Sequence, residues 1–174
     1  RRPGSTSPPS RASTASTVSP GASQAGLAPT HGRVSDLVSS PCRVLADGDV
    51  ERIAHRPLQR PSYVYEPVGA PANECVFTFY EDESRTRDER VVVSIVSRED
   101  YEGRNPGGYD SAVDGYRPVG DVAGAYVADD PKLPTVRSGL VKTRDYLVVV
   151  WLYGTSPQTL DPLVLGIVKQ IAQR

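Results

Sequence analysis

Cys75-Val76-Phe77-Thr78-Phe79-Tyr80, followed after a charged stretch by Arg90-Val91-Val92-Val93-Ser94-Ile95-Val96-Ser97, decides the fold. In the first run Cys75, Phe77 and Phe79 fall on one side and Val76, Thr78 and Tyr80 on the other, which is the period-two alternation of a strand. In the second run Val91, Val93 and Ile95 share one face and Val92, Ser94 and Val96 the other. Both faces are largely apolar, so this strand is expected inside a sheet rather than at its edge. The stretch from Glu81 to Glu89 between them is almost wholly charged and polar. It reads as the solvated tip of a hairpin, with a contact surface for assembly as the sharper alternative.

Toward the C-terminus, Glu99 to Gly108 reads as loop and Tyr109 to Tyr116 as a short helix. Strands are expected at Asp121 to Val127, Thr135 to Val141 and Tyr146 to Tyr153, the last two joined through Lys142-Thr143-Arg144-Asp145. On the final strand Val148, Val150 and Leu152 face one way, and Leu147, Val149 and Trp151 the other. Trp151, the only tryptophan, reads as a core or edge position. The chain then closes on a helix: Leu160, Leu163, Val164, Ile167, Val168 and Ile171 draw one apolar stripe at helical spacing. Asp161 is expected to cap it, with Pro162 at the first helical position. Gly166 within it costs about 1 kcal/mol relative to Ala and reads as a close approach to the sheet.

Toward the N-terminus, Pro57, Pro61, Pro67 and Pro71 make the run between them a loop or an edge segment, with Tyr63 and Tyr65 inside it. Before it, Asp47 is the expected N-cap of a short helix from Gly48 to Ala54. Residues 1–34 differ in kind. Of the first 30, 24 are Ser, Thr, Pro, Gly or Ala, too little apolar area to offset a backbone entropy of about 1–2 kcal/mol per residue. They read as a disordered tether, with O-glycosylation of its hydroxyls as an alternative. Residues 35–174 then form a single domain of class α+β. It consists of an antiparallel sheet of about five strands, covered by the C-terminal amphipathic helix and the short N-terminal helix, with one disulfide.

The tail has no acidic residue and four arginines, whereas the rest of the chain is net acidic, and the whole carries a formal charge of −1. That balance argues against a nucleic-acid surface, which needs clustered cations to displace counterions. The two cysteines, Cys42 and Cys75, pair most simply with each other in an oxidising compartment. Two separate buried thiols are the alternative. The sequence around them lacks the ligand spacing of a zinc site, and thiol catalysis has only His31 and His55 to draw on as a base. No metal or other cofactor is expected.

A Pro-Cys pair at Pro41-Cys42, a short apolar run and an Asp-Val helix lead to a second cysteine opening a strand, then hairpins and an amphipathic C-terminal helix. Over residues 36–174 this layout resembles the actinobacterial lipoproteins of a domain-of-unknown-function family. Phe77 matches the aromatic residue those proteins often carry just after the second cysteine. The resemblance implies a location outside the cytoplasmic membrane and one disulfide, with any lipid anchor upstream of Arg1, and it brings no catalytic residues. In layout alone the chain is also similar to the disulfide-stapled extracellular sensor domains of actinobacterial Ser/Thr kinases.

The function expected from all this is a non-enzymatic cell-envelope binding protein, taking a small apolar ligand or a partner protein. Its candidate surface is a set of loop tyrosines, Tyr63, Tyr65, Tyr101, Tyr109 and Tyr116, since tyrosine joins apolar area to a polar tip. A sensor or assembly domain is the alternative. A small hydrolase would need an acid and a base from pairs such as Asp47 with Asp49, Glu99 with Asp100, or Asp129 with Asp130, all in turn-like solvated stretches.

Overall fold

The two alternating runs do pair. In the computed structural model, which describes residues 31–69, 72–80, 89–120, 122–128 and 135–174, β2 (Glu74–Tyr80) lies antiparallel to β3 (Glu89–Ser97), with Cys75 opposite Val93 and Val76 opposite Val92. A bulge between Thr78 and Tyr80 shifts the register near the end of β2. The hairpin tip, residues 81–88, and the pair Asp129 and Asp130 lie outside the described residues, as do residues 1–30 of the expected tether.

The sheet has seven strands rather than about five, in the order β1-β2-β3-β7-β6-β5-β4, all antiparallel. The two added strands are the edges: β1 (Tyr63–Tyr65), in the run read as a loop or an edge segment, and β4 (Tyr116–Pro118), which was not foreseen. Each is three residues long, too short to show an alternation, and β4 carries a proline, which an edge tolerates. The others are β5 (Ala125–Ala128), β6 (Val136–Lys142) and β7 (Tyr146–Tyr153). Two meanders, β1-β2-β3 and β4-β5-β6-β7, therefore join along β3 and β7, whose eight paired positions run from Arg90 opposite Tyr153 to Ser97 opposite Tyr146. β3 is interior, as its two apolar faces require.

On the front face the strands present Phe77, Val91, Val93, Ile95, Val148, Val150 and Leu152, all buried. α4 (Pro157–Ala172) lies across them and buries the whole stripe from Leu160 to Ile171. Each such side chain contributes about 1.5–3 kcal/mol relative to exposure. α4 starts a turn earlier than expected: Ser156 is the N-cap and Pro157 takes the first position, leaving Pro162 inside the helix. The added turn buries Leu160, whose side chain packs over Gly154.

α4 can reach the sheet because Gly139 of β6 has no side chain. A Cβ there would overlap the Val168 Cγ1 methyl and come within 2.9 Å of Val164 Cγ2. Gly166 does the same on the opposite side of the helix, against Ile53 of α2 (Asp47–Ala54) rather than against the sheet.

The N-terminal elements complete this layer. α1 (His31–Ser39) begins four residues inside the segment read as tether, and Val34 is buried. A 3-10 turn, Pro41–Val44, carries Cys42, which is disulfide-bonded to Cys75 across a Cα separation of 4.9 Å. In α2 the N-cap is Ala46, so Asp47 is the first helical residue rather than the cap.

Candidate functional site

The described residues cover the back face of the sheet over only part of its area. The connection from β3 to β4 crosses it as α3 (Arg98–Glu102), capped by Ser97 Oγ accepting from the Asp100 amide, and a 3-10 turn, Tyr109–Val113. The helical turn at 98–102 falls where loop was expected, because Ser97 supplies that cap. Tyr109 and Ala112 bury themselves on Leu140 and Leu147, with Tyr101, Tyr116, Tyr126 and Val149 packed around.

Tyr109 is only 4% exposed, so it belongs to the core and not to a surface. Its ring meets Tyr101 edge-on at 6.1 Å, and its hydroxyl donates to the Thr143 carbonyl at 3.1 Å. The Arg98 guanidinium and the Lys142 ammonium sit 5.0 and 4.9 Å from the ring centre. Burial raises the Tyr109 hydroxyl to a pKa of about 12. Tyr101 and Tyr116, half-buried in the same cluster, are likewise parts of this cover.

Beyond the cover no described residue roofs the face. Tyr63 and Tyr65 of β1 stand opposite Val76 and Glu74 of β2, on the same side of the sheet. Across β2 and β3, Trp151 and Tyr153 of β7 stand beside Val92 and Arg90. These four aromatic and four intervening side chains line a groove of about 530 Å³, within the size range of small-molecule sites. With about 4.8 Å between neighbouring strands, the two aromatic walls are about 14 Å apart.

The floor is Val76 and Val92, which are buried. Tyr63, Tyr65 and Trp151 are 38%, 51% and 38% exposed. Arg90 stacks on the Tyr153 ring at 4.8 Å, and Arg60 on the Tyr63 ring at 4.7 Å, where it also donates to the hydroxyl.

The tyrosine-bearing wall is held from behind. Asp47 accepts from the Ser62 amide just before β1, and Glu51 accepts from the Leu58 amide at 2.9 Å. The Gln59 amide donates to Thr78 of β2. Val64 pairs with Cys75, so the disulfide anchors the residue on which β1 is built. The α2 carboxylates thus serve the loop that presents Tyr63 and Tyr65.

Five tyrosines therefore divide: two form one wall of the groove and three roof the covered half of the face. The opposite wall, Trp151 and Tyr153, and the charged pair Glu74 and Arg90 were not foreseen. The signal lay in β7, where Trp151 and Tyr153 share a face with Leu147 and Val149, but their approach to β1 depends on the register of three intervening strand pairs.

The acidic pairs show no catalytic arrangement among the described residues. Asp49 is engaged by Arg52 and Arg174, and the Arg52 hydrogen bond is the main cause holding its carboxyl below the usual range. Glu99 and Asp100 are exposed in the first turn of α3. No group of three or more His, Cys, Asp or Glu residues among the described residues is placed to hold a metal. No described helix is long and apolar enough to cross a membrane. The disulfide is a mark of maturation in an oxidising compartment. Comparison with protein-family models, with curated proteins and with solved structures finds no match for this chain.

Proposed function

We propose that this domain is a non-enzymatic binding module of the extracytoplasmic space, with the half-open back face of its sheet as the ligand seat. The observation that carries the reading is the groove itself: four aromatic residues in two facing walls over a closed valine floor. Exposed large aromatics gathered in one concavity mark recognition sites more often than chance exposure does. Among the described residues Glu74 is the single carboxylate in the lining, whereas glycoside hydrolysis, for example, needs two placed across a bond. That favours binding over hydrolysis. The disulfide supports an oxidising location. Attachment to the cell envelope through the Ser/Thr/Pro/Ala-rich tether, in the manner of a lipoprotein, is part of the same proposal.

Chemical-shift mapping on the isotopically labelled domain tests it, using a panel of saccharides, lipids and peptides. Perturbations that gather on residues 63–65, 74–76, 90–92 and 151–153 are the expected result. Perturbations elsewhere, or none with any class, remove the proposal.

A further inference from the structure

We infer that the groove takes a saccharide, a ligand of linked rings that carry hydroxyls at their rims. This rests on the binding reading above and narrows it. A sugar ring has an apolar C–H face and a periphery of groups that both donate and accept hydrogen bonds. The groove offers the matching parts: the aromatic rings of Tyr63, Tyr65, Trp151 and Tyr153 in its lining, and an acceptor in the Glu74 carboxylate. The tyrosine hydroxyls add groups that can act either way.

The same lining argues against the other classes. An acyl chain filling the groove would strip water from the Glu74 carboxylate without returning hydrogen bonds, which is unfavourable for a charged group. A nucleic acid would bring phosphates to a site containing a carboxylate, on a chain whose formal charge is −1. A proline-rich peptide would use the aromatic walls but has no requirement for the Glu74 carboxylate. The volume of about 530 Å³ suits one or two rings rather than a long polymer.

Trp151 makes the test direct, because it is the only tryptophan in the chain and lines the groove. Its emission is followed while cellobiose, N,N′-diacetylchitobiose and maltotriose are added, with a proline-rich decapeptide and a medium-chain fatty acid as the other arms. At least one saccharide should shift or quench the emission saturably. Glu74→Gln and Tyr65→Ala should each weaken that saccharide at least ten-fold with an unchanged melting temperature. Tyr80→Ala, an exposed tyrosine outside the groove, should leave the affinity as it was.

If the saccharides are silent and the peptide or fatty acid shifts Trp151, the saccharide inference falls while the binding reading stands. If none of the three classes moves Trp151, both fall. A saccharide whose affinity is indifferent to Glu74→Gln and Tyr65→Ala also overturns the inference.

Discussion

Gly166→Ala sets two effects of known size against each other. Glycine in a helix interior costs about 1 kcal/mol relative to alanine, so on propensity alone the change should stabilise α4. In the fold, the new methyl would overlap Ile53 Cγ2, with Ile53 Cβ and Cγ1 each only 3.7 Å away. Ile53 is β-branched and stiff at χ1, so it cannot swing clear. α4 cannot easily back away either. Its far end is tied to α2 by Arg174 on Asp49 and by Arg52 on Gln170 at 3.0 Å, and its other side is seated against Gly139.

Overpacking of this kind costs about 1–3 kcal/mol, so the contact should outweigh the propensity gain and leave a net loss of up to about 2 kcal/mol. For the roughly 144 residues from His31 to Arg174, an unfolding entropy of about 2.1 cal/mol/K per residue converts that loss to a fall of up to about 7 °C. Calorimetry on the single variant and on Gly166→Ala with Ile53→Leu checks the reasoning. Leucine keeps the volume but moves the branch off Cβ, so the double variant should recover most of the loss. A single variant that melts about 3 °C higher than the parent would refute the tight α2–α4 contact.

Two further outcomes follow from the fold. Replacing Cys42 and Cys75 by alanine opens a loop spanning a sequence separation of 33, for which chain entropy gives about 3.7 kcal/mol and a melting temperature lower by about 12 °C. A fall under about 3 °C in calorimetry would contradict the assumption of an otherwise unconstrained unfolded loop. Tyr109, with its pKa raised from 10.0 to about 12 by burial, keeps its proton in the folded state where the unfolded chain loses it. Its contribution is therefore whole below about pH 10 and lost as pH rises toward 12. Melting temperatures across pH 9–12 should fall less steeply for Tyr109→Phe than for the parent, and identical slopes would sink the assignment.

Where a segment has length and one dominant period, the sequence shows its structure directly. β7 begins and ends at Tyr146 and Tyr153 as its alternation requires, and the stripe from Leu160 to Ile171 is buried throughout. The Cys42–Cys75 pair was legible because no competing partner exists in the chain. Short-range signals were ambiguous where two similar ones compete. Ser156-Pro157 and Asp161-Pro162 both look like helix starts, and the burial of Leu160 decides for the first. Asp47 has the chemistry of an N-cap, yet its carboxylate faces the Ser62 amide, a partner 15 residues away that local reading does not include. The groove was half legible. Tyr63 and Tyr65 stand out in a proline-rich run, but the wall opposite them is set by pairings of β1 with β2, β2 with β3 and β3 with β7.

Those pairings also explain how a sheet with an apolar back face avoids exposing a greasy patch. Along β7 the back-facing side chains change from Leu147 and Val149 beneath the cover to Trp151 and Tyr153 beyond it. On β3 the outermost back-facing position in the open region is Arg90, and on β2 Glu74 shares that region with Val76. Where Tyr109 and Ala112 supply a roof, aliphatic residues suffice, since Leu140 and Leu147 are buried there and Val149 is partly buried. Where the roof stops, the strand switches to residues that keep apolar area but end in a hydroxyl, an indole N–H or a charge. An aliphatic continuation would have left an uncovered apolar face of the kind that drives association between copies. The aromatic and charged set tolerates water and can still bury area when something with both apolar and polar faces sits on it. The boundary of the cover is therefore written into the strands beneath it, and the same residue choice that keeps the open half stable without a ligand fits it to an amphipathic one.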